Sequence, residues 1–143
     1  MDSDSKLILT GHSVAQVRLI MRIVPNKGCP QQVGTEEFLT YVQCFDIVPQ
    51  LNPSFSARPG PYPDPTTSMY LLKRSTRADD SRLGDIVLLR QLRGPIELTP
   101  SFGKKADVRL TKENSLEYST EFWLAKYFDK ETFFALHCIA NTL

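Results

Sequence analysis

The 143-residue sequence has few of the side chains that build metal and redox sites, with two histidines and three cysteines. His12 and His137 are too few for a histidine-rich zinc site, because zinc needs several coordinating side chains. Cys29, Cys44 and Cys138 are odd in number and widely spaced, which excludes a disulfide framework and a CxxC motif. The composition predicts no metal and no cofactor, and it indicates a reducing, intracellular compartment.

Long apolar runs, phosphate-binding glycine motifs and excess charge are also missing. No run approaches the roughly 18 apolar residues that span a membrane, and the first residues lack the pattern of a signal peptide. We therefore expect a soluble, unsecreted protein without a membrane partner. The seven glycines form neither GxGxxG nor GxxxxGK, and 17 basic against 16 acidic residues give a net charge of only +1.

A catalytic constellation is not visible in the sequence. The carboxylates are scattered or lie in polar turns, so no pair is set up as general acid and base. His137 and Cys138 are neighbours, and neighbours on a strand point to opposite faces, which excludes them as a nucleophilic pair. We expect a protein that is not an enzyme.

Apolar, β-branched and aromatic residues in short runs predict strands along most of the chain. For the hairpin region near the end of the chain, a helix over residues 115–127 is the alternative prediction. The segment LRQLRG, residues 89–94, fits one helical turn. The predicted strands cover residues 14–24, 38–48, 69–75, 86–89 and 96–98, followed by a hairpin of 121–128 and 132–136.

Six of the ten prolines lie between Pro49 and Pro65, which predicts a long exposed loop over residues 49–66. This loop is not a domain linker, because neither flank has enough chain to build its own core. We therefore predict one domain over 1–143, with an ordered core of about 14–136. Its expected fold is mostly β, with about six strands in a small curled sheet or partly open barrel and little helix.

Aromatic and basic residues supply the candidate binding groups. Tyr41, Phe45 and Trp123 lie on predicted strands, where they are either core or, if they meet beside a carboxylate, a cage for a methylated ammonium. Residues 67–112 hold ten basic side chains against five acids, which fits either a solvated surface or a basic face. The candidate nucleic-acid-binding residues are Lys73, Arg74, Arg77, Lys104 and Lys105.

The order of these segments resembles that of bromo-adjacent homology (BAH) domains over about residues 14–136. The segments that carry the resemblance are VAQVRLIMRI, LTYVQCFDIVPQ, MYLLKRS, GDIVLLRQLRGPIELTP and EFWLAKYFDKETFFAL. VAQVRLIM, LTYVQCF, MYLLKRS and IVLLRQLRGPIELTPSFG also resemble C-terminal regions of uncharacterised proteins encoded by basidiomycete transposon-like elements. That second resemblance implies a fungal, transposon-derived origin and no particular activity.

The BAH resemblance implies a non-enzymatic interaction module of a nuclear, chromatin-associated protein. Its partner would be another protein, for which a histone tail is one candidate, and Tyr41, Phe45 and Trp123 would line the peptide site. Cys44 stands where that family has a tryptophan. The alternative is a nucleic-acid-binding module that uses the basic segment of residues 73–112.

Overall fold

The structure is a computed structural model, and it describes residues 12–24, 27–28, 37–125 and 130. The described chain is mostly β, with six antiparallel strands and little helix, which confirms the predicted fold class. The strands are β1 (Ala15–Arg22), β2 (Phe38–Ile47), β3 (Leu71–Arg74), β4 (Gly84–Leu88), β5 (Leu98–Ser101) and β6 (Glu121–Leu124). The helical elements are a 3-10 turn (Leu89–Gln91) and α1 (Ser115–Tyr118), and the described residue Lys130 is also helical.

The strands follow the order β1-β2-β3-β6-β5, and β4 pairs with β2. Every pairing is antiparallel. The chain divides into two compact units, and β2 passes from one to the other between Cys44 and Phe45. The prediction of one domain over 1–143 stays a prediction.

The two units are discontinuous in sequence. Among the described residues, the larger unit comprises 12–13, 45–74, 96–125 and 130, and it holds the end of β2 with β3, β5, β6 and α1. The smaller unit comprises 14–24, 27–28, 37–44 and 75–95, and it holds β1, the start of β2, and β4.

Most of the core of the larger unit lies on one face of its sheet, and Leu71 is buried on the opposite face. Leu72 and Phe122 are opposite each other in the register of β3 and β6, and both are fully buried. Side chains alternate between the two faces of a strand, so β2 and β6 send every second residue to this core. The same face holds Phe45, Ile47 and Leu124, which are also buried.

The proline-rich segment is a loop, as predicted, and it has local order of its own. Gln50 and Gly60 form an isolated antiparallel bridge across it. The buried Asn52 amide donates a hydrogen bond to the Pro63 carbonyl at 3.1 Å and ties the two arms together. The segment is thus held by one backbone bridge and by side-chain hydrogen bonds instead of a continuous sheet ladder, which fits its many prolines.

Two predicted elements differ from the structure, and a third lies outside the described residues. The strand expected at 96–98 is β5, so Pro100 lies inside a strand that we expected it to end. β5 is the last strand in the sheet order, and proline is tolerated in such a strand because an outward-facing backbone nitrogen has no ladder partner that would need its hydrogen. The alternative helix over 115–127 ends at Tyr118, since β6 begins three residues later. Residues 132–136, the expected second strand of the hairpin, lie outside the described residues.

No helix in the described part of the chain is both long and apolar enough to span a bilayer.

Candidate functional site

Phe45 and Arg74 lie on the core face of the larger unit. The Phe45 ring meets the Phe122 ring edge to face, with 5.5 Å between centroids. The Arg74 guanidinium lies over both rings, 5.1 Å from the Phe45 centroid and 5.5 Å from that of Phe122. Its Nη2 atom donates a hydrogen bond to the carbonyl of Leu116 in α1. These contacts give the two residues a structural role.

Trp123 lies on the opposite face of the same sheet. It follows Phe122 in β6, and successive side chains of a strand point to opposite faces. Its direct neighbours in the register are Leu71 of β3 and Thr99 of β5. Phe45 and Trp123 are therefore separated by the sheet.

The register places a row of charges beside Trp123. Lys73 of β3 is opposite Asp46 of β2 on one side and Glu121 of β6 on the other. Glu97 joins the same face, because the Ala125 amide donates to the Glu97 carbonyl and extends the β5–β6 ladder by one residue. We call this surface the Trp123 face, and its members are Asp46, Leu71, Lys73, Glu97, Thr99, Ser101, Glu121 and Trp123.

The Trp123 face is acidic, with three carboxylates and one lysine. Within the described residues, no salt bridge involves Asp46, Glu97 or Glu121. Lys73 and Glu97 are exposed, Trp123 is half-buried, and Leu71 beside it is buried. The face thus combines a partly exposed indole with a net negative charge, on a chain whose total charge is +1.

Tyr41 belongs to the smaller unit. It is half-buried in β2, between Leu19 of β1 and Ile86 of β4 in the register. Its ring covers Gly84 so closely that a Cβ atom added there would overlap it. The close approach explains why glycine, which has no side chain, stands at that position.

The five predicted nucleic-acid-binding residues come from both units, and two of them lie on opposite faces of β3. Lys73 belongs to the Trp123 face, and the Arg74 guanidinium lies on the core face. The exposed Arg77 lies in the turn after β3, where its Nη1 atom donates to the Arg82 carbonyl at 3.4 Å. Lys104 and Lys105 are exposed in the loop between β5 and α1. Of the five, only these two lysines are adjacent on an exposed loop.

The loop that carries Lys104 and Lys105 contains one well-formed ion pair. The Arg109 guanidinium contacts both carboxylate oxygens of Asp107, with 2.7 Å from Nη2 to Oδ2. Hydrogen bonds from the Arg109 side chain and backbone lower the pKa of Asp107 to about 2. Arg109 therefore has a partner within the chain, which reduces the positive charge the loop offers to a ligand.

The carboxylates of the Trp123 face were not predicted as functional residues. Glu121 and Trp123 are two residues apart on a strand, so period-two alternation alone could have joined them. Asp46 and Glu97 come from distant segments, and only the strand register brings them to this face. Within the described residues, no group of three or more His, Cys, Asp or Glu side chains is placed to hold a metal ion.

Comparison with known proteins gives one match. A family model described as a domain of unknown function, DUF6830, matches residues 5–63. The matched part covers less than half of the chain and includes β1 and β2. No curated protein and no solved structure matches the chain.

Proposed function

We propose that this chain is a non-catalytic protein-binding module whose Trp123 face takes a basic peptide. The observation that carries the proposal is the position of a half-buried indole on a sheet face that also holds three carboxylates and one lysine. An indole face attracts a cationic side chain by roughly 0.5 to 2 kcal/mol, and nearby carboxylates add a favourable potential. A lysine-rich or arginine-rich segment has the complementary charge.

A histone tail is the basic peptide that we propose, within a nuclear, chromatin-associated protein. The support for this choice is the charge of the face together with the BAH resemblance of the sequence. In this arrangement Trp123 is the aromatic contact, and Phe45 supports the sheet from its other side. Tyr41 stays a predicted contact within the smaller unit.

Trp123 is the only tryptophan of the chain, so its fluorescence reports on this face directly. Titration with histone tail peptides, with and without lysine methylation, is expected to change its emission with a saturable curve. Glu97→Gln and Glu121→Gln should each weaken binding several-fold, because each removes one negative charge. Glu113→Gln is the matched control, since Glu113 lies in an exposed loop beside Lys112. Unchanged emission with every tail peptide contradicts the proposal.

Nucleic-acid binding is the alternative, and the exposed pair Lys104 and Lys105 is the feature that favours it. Two variants separate the functions. Lys73→Gln should strengthen binding of a basic peptide, because it removes the one cation of the Trp123 face, and should leave DNA binding unchanged. Lys104→Gln should weaken binding of DNA and lower the salt dependence of that binding, because one phosphate contact is lost.

A further inference from the structure

The Trp123 side chain has a glutamate on each side of it along the sheet. Glu121 precedes it by two residues on β6, which places the two side chains about 7 Å apart on one face. Glu97 is diagonal to it on the other side, because Glu97 pairs with Ala125, two residues after Trp123. Diagonal neighbours on one face are about 7 to 8 Å apart. A group that stacks on the indole therefore has a carboxylate within reach on both sides.

The Trp123 face contains a single aromatic ring. The other members of the face, as the structure describes it, are aliphatic, hydroxyl-bearing or charged. A trimethylated ammonium has no N–H to donate, so its recognition depends on several ring faces that surround it. One indole flanked by carboxylates suits a different cation, one that offers N–H donors to the carboxylates while it contacts the ring.

A guanidinium has these two properties together. It is planar and stacks on an aromatic face, and its N–H groups point outward in its own plane, where carboxylates can accept them. A lysine ammonium is a compact, strongly hydrated point charge that cannot stack as a plane. On equal charge, the arrangement around Trp123 therefore favours arginine over lysine.

The opposite face of the same sheet already holds an arginine in this way. The guanidinium of Arg74 lies 5.1 Å from the Phe45 centroid and 5.5 Å from that of Phe122. It also donates to the carbonyl of Leu116, so it combines ring contact with an oxygen acceptor. We infer that the Trp123 face selects arginine side chains of its partner in preference to lysine and methylated lysine. The inference rests on the proposed function, because it names the side chain that the basic peptide presents.

Nonapeptides of arginine, lysine and trimethyl-lysine test the inference, because their side chains carry equal charge and differ only in the kind of cation. Binding of each fluorescein-labelled peptide to the full chain is measured by fluorescence anisotropy at physiological salt. The arginine peptide is expected to bind at least about fivefold more tightly than either of the other two.

Variants of the face test whether the preference arises there. Trp123→Leu removes the ring on which the guanidinium stacks, so the ratio of arginine to lysine affinity should fall below about twofold. Glu121→Gln removes a charged acceptor and should lower the same ratio at least about twofold. Glu113→Gln, which removes a carboxylate outside the face, is the matched control and should leave the ratio unchanged. Circular dichroism establishes that each variant is folded.

The outcomes separate this inference from the proposed function. A lysine or trimethyl-lysine peptide that binds as tightly as the arginine peptide would overturn the inference and leave the proposed function in place. An arginine preference that persists in folded Trp123→Leu would also overturn it, because the guanidinium would then be recognised elsewhere on the chain. Absence of binding by all three peptides would contradict the proposed function itself, and the inference with it.

Discussion

The guanidinium of Arg74 lies 5.1 Å from the ring centroid of Phe45, its direct cross-strand neighbour between β3 and β2. The same guanidinium contacts the Phe122 ring and donates to the Leu116 carbonyl, so a single side chain connects three strands with α1. Arginine can do this because its planar group stacks on rings while its N–H groups remain available as donors.

Replacement of Arg74 is expected to destabilise the fold. Arg74→Met keeps most of the apolar volume but loses the stacking and the hydrogen bond, at a cost of about 1 to 3 kcal/mol in the free energy of unfolding. Arg74→Lys should recover only part of this, because an ammonium cannot stack as a plane. Urea denaturation measures both variants, with Arg58→Lys in the exposed proline-rich loop as control. Wild-type stability of Arg74→Lys would contradict the stacking role.

Replacement of Thr40 is expected to stabilise the fold, in contrast to replacement of Arg74. It is completely buried in β2, and its hydroxyl has no hydrogen-bond partner within the described structure. A buried, unpaired hydroxyl costs about 1 to 3 kcal/mol. Thr40→Val keeps the shape and should raise the free energy of unfolding by about 1 kcal/mol in thermal or urea unfolding. Thr99→Val, at an exposed position of β5, should change it by less than about 0.5 kcal/mol. A less stable Thr40→Val would show that the hydroxyl is paired.

Sequence patterns predicted the strand positions along the chain well. They predicted less well which side chains share a face of the folded sheet. Runs of β-branched and aromatic residues located β1 and β2 to within two residues at each end, because propensity and alternation are local properties. The adjacent pair Lys73 and Arg74 was grouped as one basic surface, yet the pleat of β3 sends the two side chains to opposite faces. Trp123 was predicted as a site residue from the BAH resemblance. Its carboxylate neighbours Asp46 and Glu97 depend on a register that no local pattern contains.

The Asp107–Arg109 ion pair predicts a pH effect with a definite sign. The pKa of Asp107 is lowered from 3.8 to about 2 in the folded chain, so folding favours its ionised form. Its contribution to stability is therefore complete above the ordinary pKa and is lost as the pH falls through about 2. Because the carboxylate is exposed to solvent, the pKa of Asp107 is a better observable than the free energy of unfolding. NMR titration of Asp107 should give a midpoint near 2, and Arg109→Gln should raise it.

Asp79 provides the internal control for that titration. Its pKa is lowered mainly by hydrogen bonds from Ser81, in a different turn. Arg109→Gln should therefore leave the Asp79 midpoint where it was. A variant in which both midpoints move together would point to a general change of the fold and not to loss of one ion pair.

The close approach of Tyr41 to Gly84 predicts a coupling between these two positions. Glycine inside a strand is usually less favourable than alanine by about 0.5 to 1 kcal/mol, so Gly84→Ala should stabilise β4 if space were available. In the wild type the added methyl group overlaps the Tyr41 ring, which must turn away and lose its packing. We expect Gly84→Ala to be destabilising with Tyr41 present and stabilising in the Tyr41→Ala background. A double-mutant cycle in urea should give a coupling of about 1 kcal/mol, and additive effects would show that the ring does not rest on this glycine.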